Sequence, residues 1–168
     1  MSAILTMSGA TVSAAVLALN VRTWWKSKRE FKDLTPFAGG LIQGASCTLC
    51  VGGLLGWVAV KAADAGSASG DWGVNKVTGK DGSAALAAGS MGTLTPAGAC
   101  MVVGAVLVGG VLFKAAGKEA KRRIVGGVFV GMTLTATAGF AQIMQWLPDA
   151  YNSLGAGVVD MLNGVMPL

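Results

Sequence analysis

Cys47 and Cys50 are the residues of this chain whose type and spacing come closest to a chemistry. Separated by Thr48 and Leu49, they fall on one face of a helix, where two thiols can exchange with a disulfide or share a metal ion. Neither chemistry has its other half. Cys100 is the one further cysteine, the sequence contains no histidine, and no acidic residue stands near enough in the chain to complete a metal shell. Packing as small hydrophobes accounts for the pair more simply. Without histidine the commonest general base is missing, and there is no glycine loop ending in Lys-Ser or Lys-Thr to cradle a phosphate. The expectation is a non-enzymatic protein with no cofactor and no metal.

The segments that carry these residues explain the lack of chemistry. Of 168 residues, 53% are hydrophobic and 12% charged, with mean hydropathy +0.62; a soluble domain carries about 25% charged residues. Four long runs lack any charge, and each approaches the roughly 20 apolar residues that a bilayer-spanning helix needs. A chain of this size has no interior large enough to hide four such runs, so lipid is the expected solvent. The fold class expected is all-α, a single membrane domain over residues 1–168 with about four transmembrane helices, at 3–21, 36–60, 94–116 and 124–147. The 26 glycines do not oppose this, because an unpaired backbone group is so costly in lipid that the segment stays helical or lines a cavity. The alternating pattern of a membrane β-barrel is missing.

Charge sets the expected orientation. Arg22, Lys26, Lys28, Arg29 and Lys32 lie between the first two runs, and Lys114, Lys118, Lys121, Arg122 and Arg123 between the last two. Basic connections stay on the cytoplasmic side of a cell membrane, which places both termini outside. Four spans put the two connections on one side without further adjustment. Trp24 and Trp25 then mark the inner interface, and Trp57 and Trp146 the outer one. Because its basic cluster follows the apolar stretch, the first run reads as a retained helix rather than a secretory signal. Residues 64–93, rich in Gly, Ser and Ala, read as an exposed outer loop, with Ser83–Gly92 as a short interfacial or re-entrant piece. A helix over 154–166 is expected along the outer interface.

Small residues at helical spacing are expected to join the helices. Gly40/Gly44, Gly52/Gly56, Ala105/Gly109 and Gly127/Gly131 each allow close backbone approach. In the fourth run Gly127, Gly131, Thr135, Ala138, Gln142 and Gln145 form one stripe, a helix–helix interface either within the chain or between copies in a homo-oligomer or pore. Leu34-Thr35-Pro36 and Leu94-Thr95-Pro96 would open two helices with the same cap. If they mark a duplication, its copies run in opposite directions through the membrane.

Three families share this style of sequence. The whole chain resembles the small hydrophobic spread proteins of actinobacterial conjugative plasmids in its Ala/Gly/Val-heavy runs and its basic connections Arg22–Lys32 and Lys114–Arg123. Residues 94–147 are similar to the pilins of conjugative secretion systems, in which two apolar helices flank a basic turn. Phage holins are likewise small, multi-span and self-associating. The resemblance implies a self-associating membrane component of a DNA-transfer or related translocation apparatus. Its implied partners are a DNA-translocating ATPase or other membrane subunits; the charges of the basic loops would also attract nucleic-acid phosphates, which leaves direct nucleic-acid contact an open alternative. Those loops also suit anionic lipid headgroups. A holin-like pore is the alternative. Cys47 and Cys50 resemble the reactive pair of quinone-linked disulfide-generating enzymes, which makes a membrane thiol oxidoreductase the third reading.

Overall fold

The computed structural model describes residues 5–26 and 31–164, and all its regular elements are helices. In chain order these are α1 (Met7–Lys26), α2 (Phe31–Leu49), α3 (Leu54–Thr78), α4 (Pro96–Ala115), α5 (Lys118–Leu134), α6 (Ala138–Ile143) and α7 (Trp146–Leu162). The first residues of the expected span 3–21, the last of the expected helix 154–166, and Lys28 and Arg29 lie outside the described residues.

The centre is a parallel pair, α2 against α5. A Cβ built on Gly40 would run into the Ile124 carbonyl, and one on Gly44 into that of Val128. Reciprocally, Gly127 faces the Phe37 carbonyl and Gly131 that of Leu41. Each helix presents a glycine notch to the other's backbone, an approach that only a missing Cβ permits. The glycine pairs read from sequence therefore meet each other inside one chain. Around them, α1 runs antiparallel to α5, with Asn20 beside Gly126 and the buried Ser13 and Thr133 hydroxyls hydrogen-bonded at 2.7 Å. On the other flank α4 runs antiparallel to α2, where the Gln43 amide donates to the Ala105 carbonyl at 3.3 Å and its oxygen seats on Gly109.

Two of the expected continuous helices are broken. The run 36–60 turns a corner of 112° between α2 and α3. Gly52 sits there at φ 86°, Gly53 donates to the Cys50 carbonyl at 3.2 Å, and Gly56 packs against that same carbonyl. This is the pattern of a type II turn, whose third position requires glycine. Gly52/Gly56 thus makes a corner rather than a helix contact. The run 124–147 breaks after Leu134, where the hydroxyls of Thr133, Thr135 and Thr137 bond back to the carbonyls of Phe129, Gly131 and Leu134. Hydroxyls that compete for backbone carbonyls weaken a helix. Thr137 adopts an extended conformation before α6 begins. α7 starts at Trp146, earlier than the helix expected from 154.

The chain repeats itself. Leu5-Thr6-Met7-Ser8-Gly9-Ala10 leads into α1 as Leu94-Thr95-Pro96-Ala97-Gly98-Ala99 leads into α4, and each helix has 20 residues. The Thr6 hydroxyl accepts from the Gly9 amide at 3.3 Å and the Thr95 hydroxyl from the Gly98 amide at 3.0 Å. Gly39-Gly40, Gly44, Ser46 and Thr48 of α2 recur as Gly126-Gly127, Gly131 and Thr133 of α5 and Thr135 just after it. Asp64-Ala65 and Gly70 of α3 recur as Asp149-Ala150 and Gly155 of α7, with Gly70 on Ser8 and Gly9, and Gly155 on Ala97 and Gly98. After α3 and after α7 stands a left-handed glycine, Gly79 at φ 66° and Gly164 at φ 75°. The Thr48 and Thr135 hydroxyls, at matching places in the two units, meet at 3.3 Å. The copies run in the same direction, not in opposite ones, and the counterpart of α4 is α1. Thr35 lies inside α2 with its hydroxyl on the Phe31 carbonyl and caps nothing.

The linker between the units is not the loop expected at 64–93. Residues up to Thr78 are helical in α3, and the chain beyond Gly79 is an extended strap. Met7 donates to Ala84 at 2.8 Å and Leu86 to Leu5 at 2.9 Å; farther on, Ala138 donates to Ala87 at 3.0 Å and Gly89 to Ala136 at 2.8 Å. The strap thereby satisfies amides and carbonyls that the start of α1 and the α5–α6 break leave without helical partners.

Among the described residues α4 alone is a single straight helix long and apolar enough to cross a membrane, and α2 with α3 qualifies only as a bent pair. α5 spends its first turns on Lys118–Arg123, which shortens its apolar stretch.

The seam predicts sharp positional contrast. Gly44→Val or Gly131→Val is expected to lower stability in detergent micelles by about 1–3 kcal/mol, as overpacking does. Gly39→Ala and Gly104→Ala meet nothing within 4 Å and are expected to stay within about 0.5 kcal/mol of the parent. Unfolding by sodium dodecyl sulfate titration measures both, and equal sensitivity at Gly39 and Gly44 would remove the seam.

Candidate functional site

Helix direction gathers the basic residues at one end. α2 and α5 start there while α1 and α4 finish there, with Trp24 packed 6.2 Å from Phe31 across the connection. Arg22, Lys26, Lys32, Lys114, Lys118 and Arg122 are exposed. Arg123 and Lys121 are partly committed within the fold. Arg123 donates to the Asp33 carbonyl and lies 4.0 Å from its carboxylate, tying the start of α5 to the start of α2, while the Lys121 ammonium sits 5.7 Å over the Phe113 ring. Lys32 and Glu119 border a shallow crevice beside this pair. The charged surface thus presents phosphate-attracting ammonium and guanidinium groups on one face.

The stripe of the fourth run separates at the α5–α6 break. Gly127, Gly131 and Thr135 lie in the seam, Thr135 buried and bonded to the Gly131 carbonyl. Ala138 is half-buried beyond the break, Gln142 is exposed on α6, and Gln145 is exposed just before α7. Among the described residues the stripe is thus divided by the break between Leu134 and Ala138.

Cys47 is buried at the end of α2 among Ala59 and Met132, and Cys50 is half-buried in the corner. Cys100 is exposed on α4. No group of three metal-ligating side chains occurs among the described residues. A buried thiol beside apolar neighbours lacks the electropositive, accessible surroundings that make a cysteine reactive.

Sequence reasoning missed a sizeable cavity of about 470 Å³. It lies between the α2–α3 corner and the strap, bounded by Leu49, Val60, Trp57 and Met91, with Thr48 and Thr135 at its edge. Its size suits a small apolar ligand or a short chain segment. The signal available in the sequence is Gly52-Gly53 within an apolar run, which marks a turn as readily as a helix. No family model, no curated protein and no solved structure matches the chain.

Burial orders the thiols. With N-ethylmaleimide in mild detergent, Cys100 is expected to react first, Cys50 more slowly, and Cys47 only at the rate of global unfolding. Mass spectrometry of peptides over time gives the order. Rapid modification of Cys47 in the folded protein would return a reactive pair to consideration.

Proposed function

We propose that this protein is a non-enzymatic, multi-pass membrane component of a DNA-transfer or related translocation apparatus, anchored by α1, α2, α4 and α5 crossing the bilayer. The observation that carries the reading is the shared end at which both basic connections emerge. Four helices of alternating direction produce that arrangement, and basic connections are held on the cytoplasmic side. The length of α4, about 30 Å, suits the hydrocarbon thickness. Its exposed Val103, Leu107, Val108, Val111 and Leu112 suit lipid or a neighbouring subunit. The basic face would hold anionic headgroups and, through the same charges, the phosphates of DNA or an acidic face of a translocating ATPase. Self-association, on this reading, runs over the α4 surface and not over Gly127 and Gly131, which the chain uses internally.

Two measurements test it. In a cysteine-free background, Lys118→Cys is expected to resist an impermeant maleimide applied to intact cells, whereas Trp72→Cys, at the opposite end, is labelled. The reverse pattern would invert the orientation, and labelling of both would remove the membrane reading. For the nucleic-acid part, Lys114→Gln, Lys118→Gln and Arg122→Gln together are expected to weaken DNA binding by protein in zwitterionic nanodiscs. The slope of log affinity against log salt should fall by roughly 2–3, about 0.9 per lost phosphate contact. An unchanged slope would take DNA contact out of the proposal.

A further inference from the structure

The repeat exposes one asymmetry. At the α5–α6 break an extended segment is seated: Gly89 donates to the Ala136 carbonyl at 2.8 Å, Ala138 donates to the Ala87 carbonyl at 3.0 Å, and Ala88 and Thr137 form an antiparallel bridge. Gly89 rests so closely on Thr137 and Ala141 that no larger residue fits. Counted along the matching unit from the Thr48–Thr135 pair, Leu49 stands where Ala136 does and Val51 where Ala138 does. Counted back from the matching Gly70 and Gly155, Gly56 stands where Ala141 does.

At that second place the cavity of about 470 Å³ takes the position of the segment. Among the described residues no backbone hydrogen bond reaches the Leu49 carbonyl or leaves the Val51 amide. Both residues, with Gly52, Gly56 and Gly89, line the cavity, Leu49 buried and Val51 exposed. On the membrane reading proposed above, on which this inference rests, an amide and a carbonyl without partners are costly in lipid unless another chain supplies the missing bonds.

We propose that the cavity is a second seat for extended backbone, occupied by a segment of another polypeptide with alanine- and glycine-sized side chains. The Leu49 carbonyl accepts from it and the Val51 amide donates to it, repeating the bridge that Ala87–Gly89 makes to Ala136 and Ala138. The occupant is specified by the one already seated on the matching break: main-chain bonds supply affinity and the small glycine-lined space excludes bulky side chains. An acyl chain would fit the apolar wall but would leave both backbone groups without partners.

The test uses the full chain in nanodiscs and a synthetic peptide of sequence Ala-Ala-Gly-Ser, that of Ala87–Ser90, carrying a photoreactive group. Saturable binding with crosslinks to Leu49–Trp57 is expected. Val51→Pro removes the amide while suiting the second position of the type II turn, and is expected to weaken binding at least ten-fold without changing thermal stability. Ser90→Trp, at the exposed rim of the cavity, is expected to block it to a similar degree. The proposal is overturned if the parent shows no saturable binding or if both variants bind like the parent. It is equally overturned if brominated acyl chains quench Trp57 and the peptide fails to relieve the quenching.

Discussion

Backbone-to-backbone approach at the α2–α5 seam governs the architecture. When the carbonyls of Phe37, Leu41, Ile124 and Val128 sit in the notches of glycines on the facing helix, the pair has almost no freedom to slide, because a shift by one residue would drive a side chain into main chain. Parallel direction follows from that register, and parallel direction forces the remaining helices into place. α1 must return to the basic end before α2 begins, and α4 must do the same before α5. The two flanking contacts, Ser13 with Thr133 and Gln43 with Ala105, then use single hydrogen bonds where apolar surroundings make each one count.

Beyond the seam the helices cannot continue as they started. Past Thr48 and Thr135 each chain turns away, one through a glycine corner and the other through a threonine-rich break. Ending a helix frees carbonyls and amides that need partners. The structure resolves the α5 end with the strap and the α2 end in part with its own turn. This difference in backbone pairing, rather than any reactive side chain, distinguishes the two units chemically.

Much of this is legible in the sequence. α4 can be placed within two residues because a threonine cap, a proline and an uncharged run agree. The basic connections share one end because charge and helix count point the same way, and Gly40/Gly44 and Gly127/Gly131 stand out as contact pairs even without their mutual partner. The breaks are not legible, because Gly52 contributes the same composition to a helix as to a turn and hydropathy runs through the corner unaltered. α3 reads as a loop because Gly66, Ser67 and Gly70, small so that α1 and α5 can approach, resemble flexible linker residues. The stripe to Gln145 is divided between elements, because helical spacing does not run across Thr135–Thr137. The repeat is hidden by the choice of anchor: Leu-Thr-Pro is the conspicuous tripeptide, whereas the copied signature is Leu-Thr-x-x-Gly-Ala.

Two like units in one chain also differ from two like chains in a dimer. In a homodimer every substitution is made twice, so a position facing the dyad must satisfy both sides with one residue type. Fusion lifts that requirement. Ser13 and Val102 hold matching places on α1 and α4 and are both fully buried, yet one carries a hydroxyl bonded to Thr133 and the other only carbon. The same licence let α4 become almost wholly hydrocarbon on its outer surface while α1 kept Asn20 and Arg22. The covalent link thus permits a division of labour between halves that a symmetric assembly of identical subunits has no means to encode.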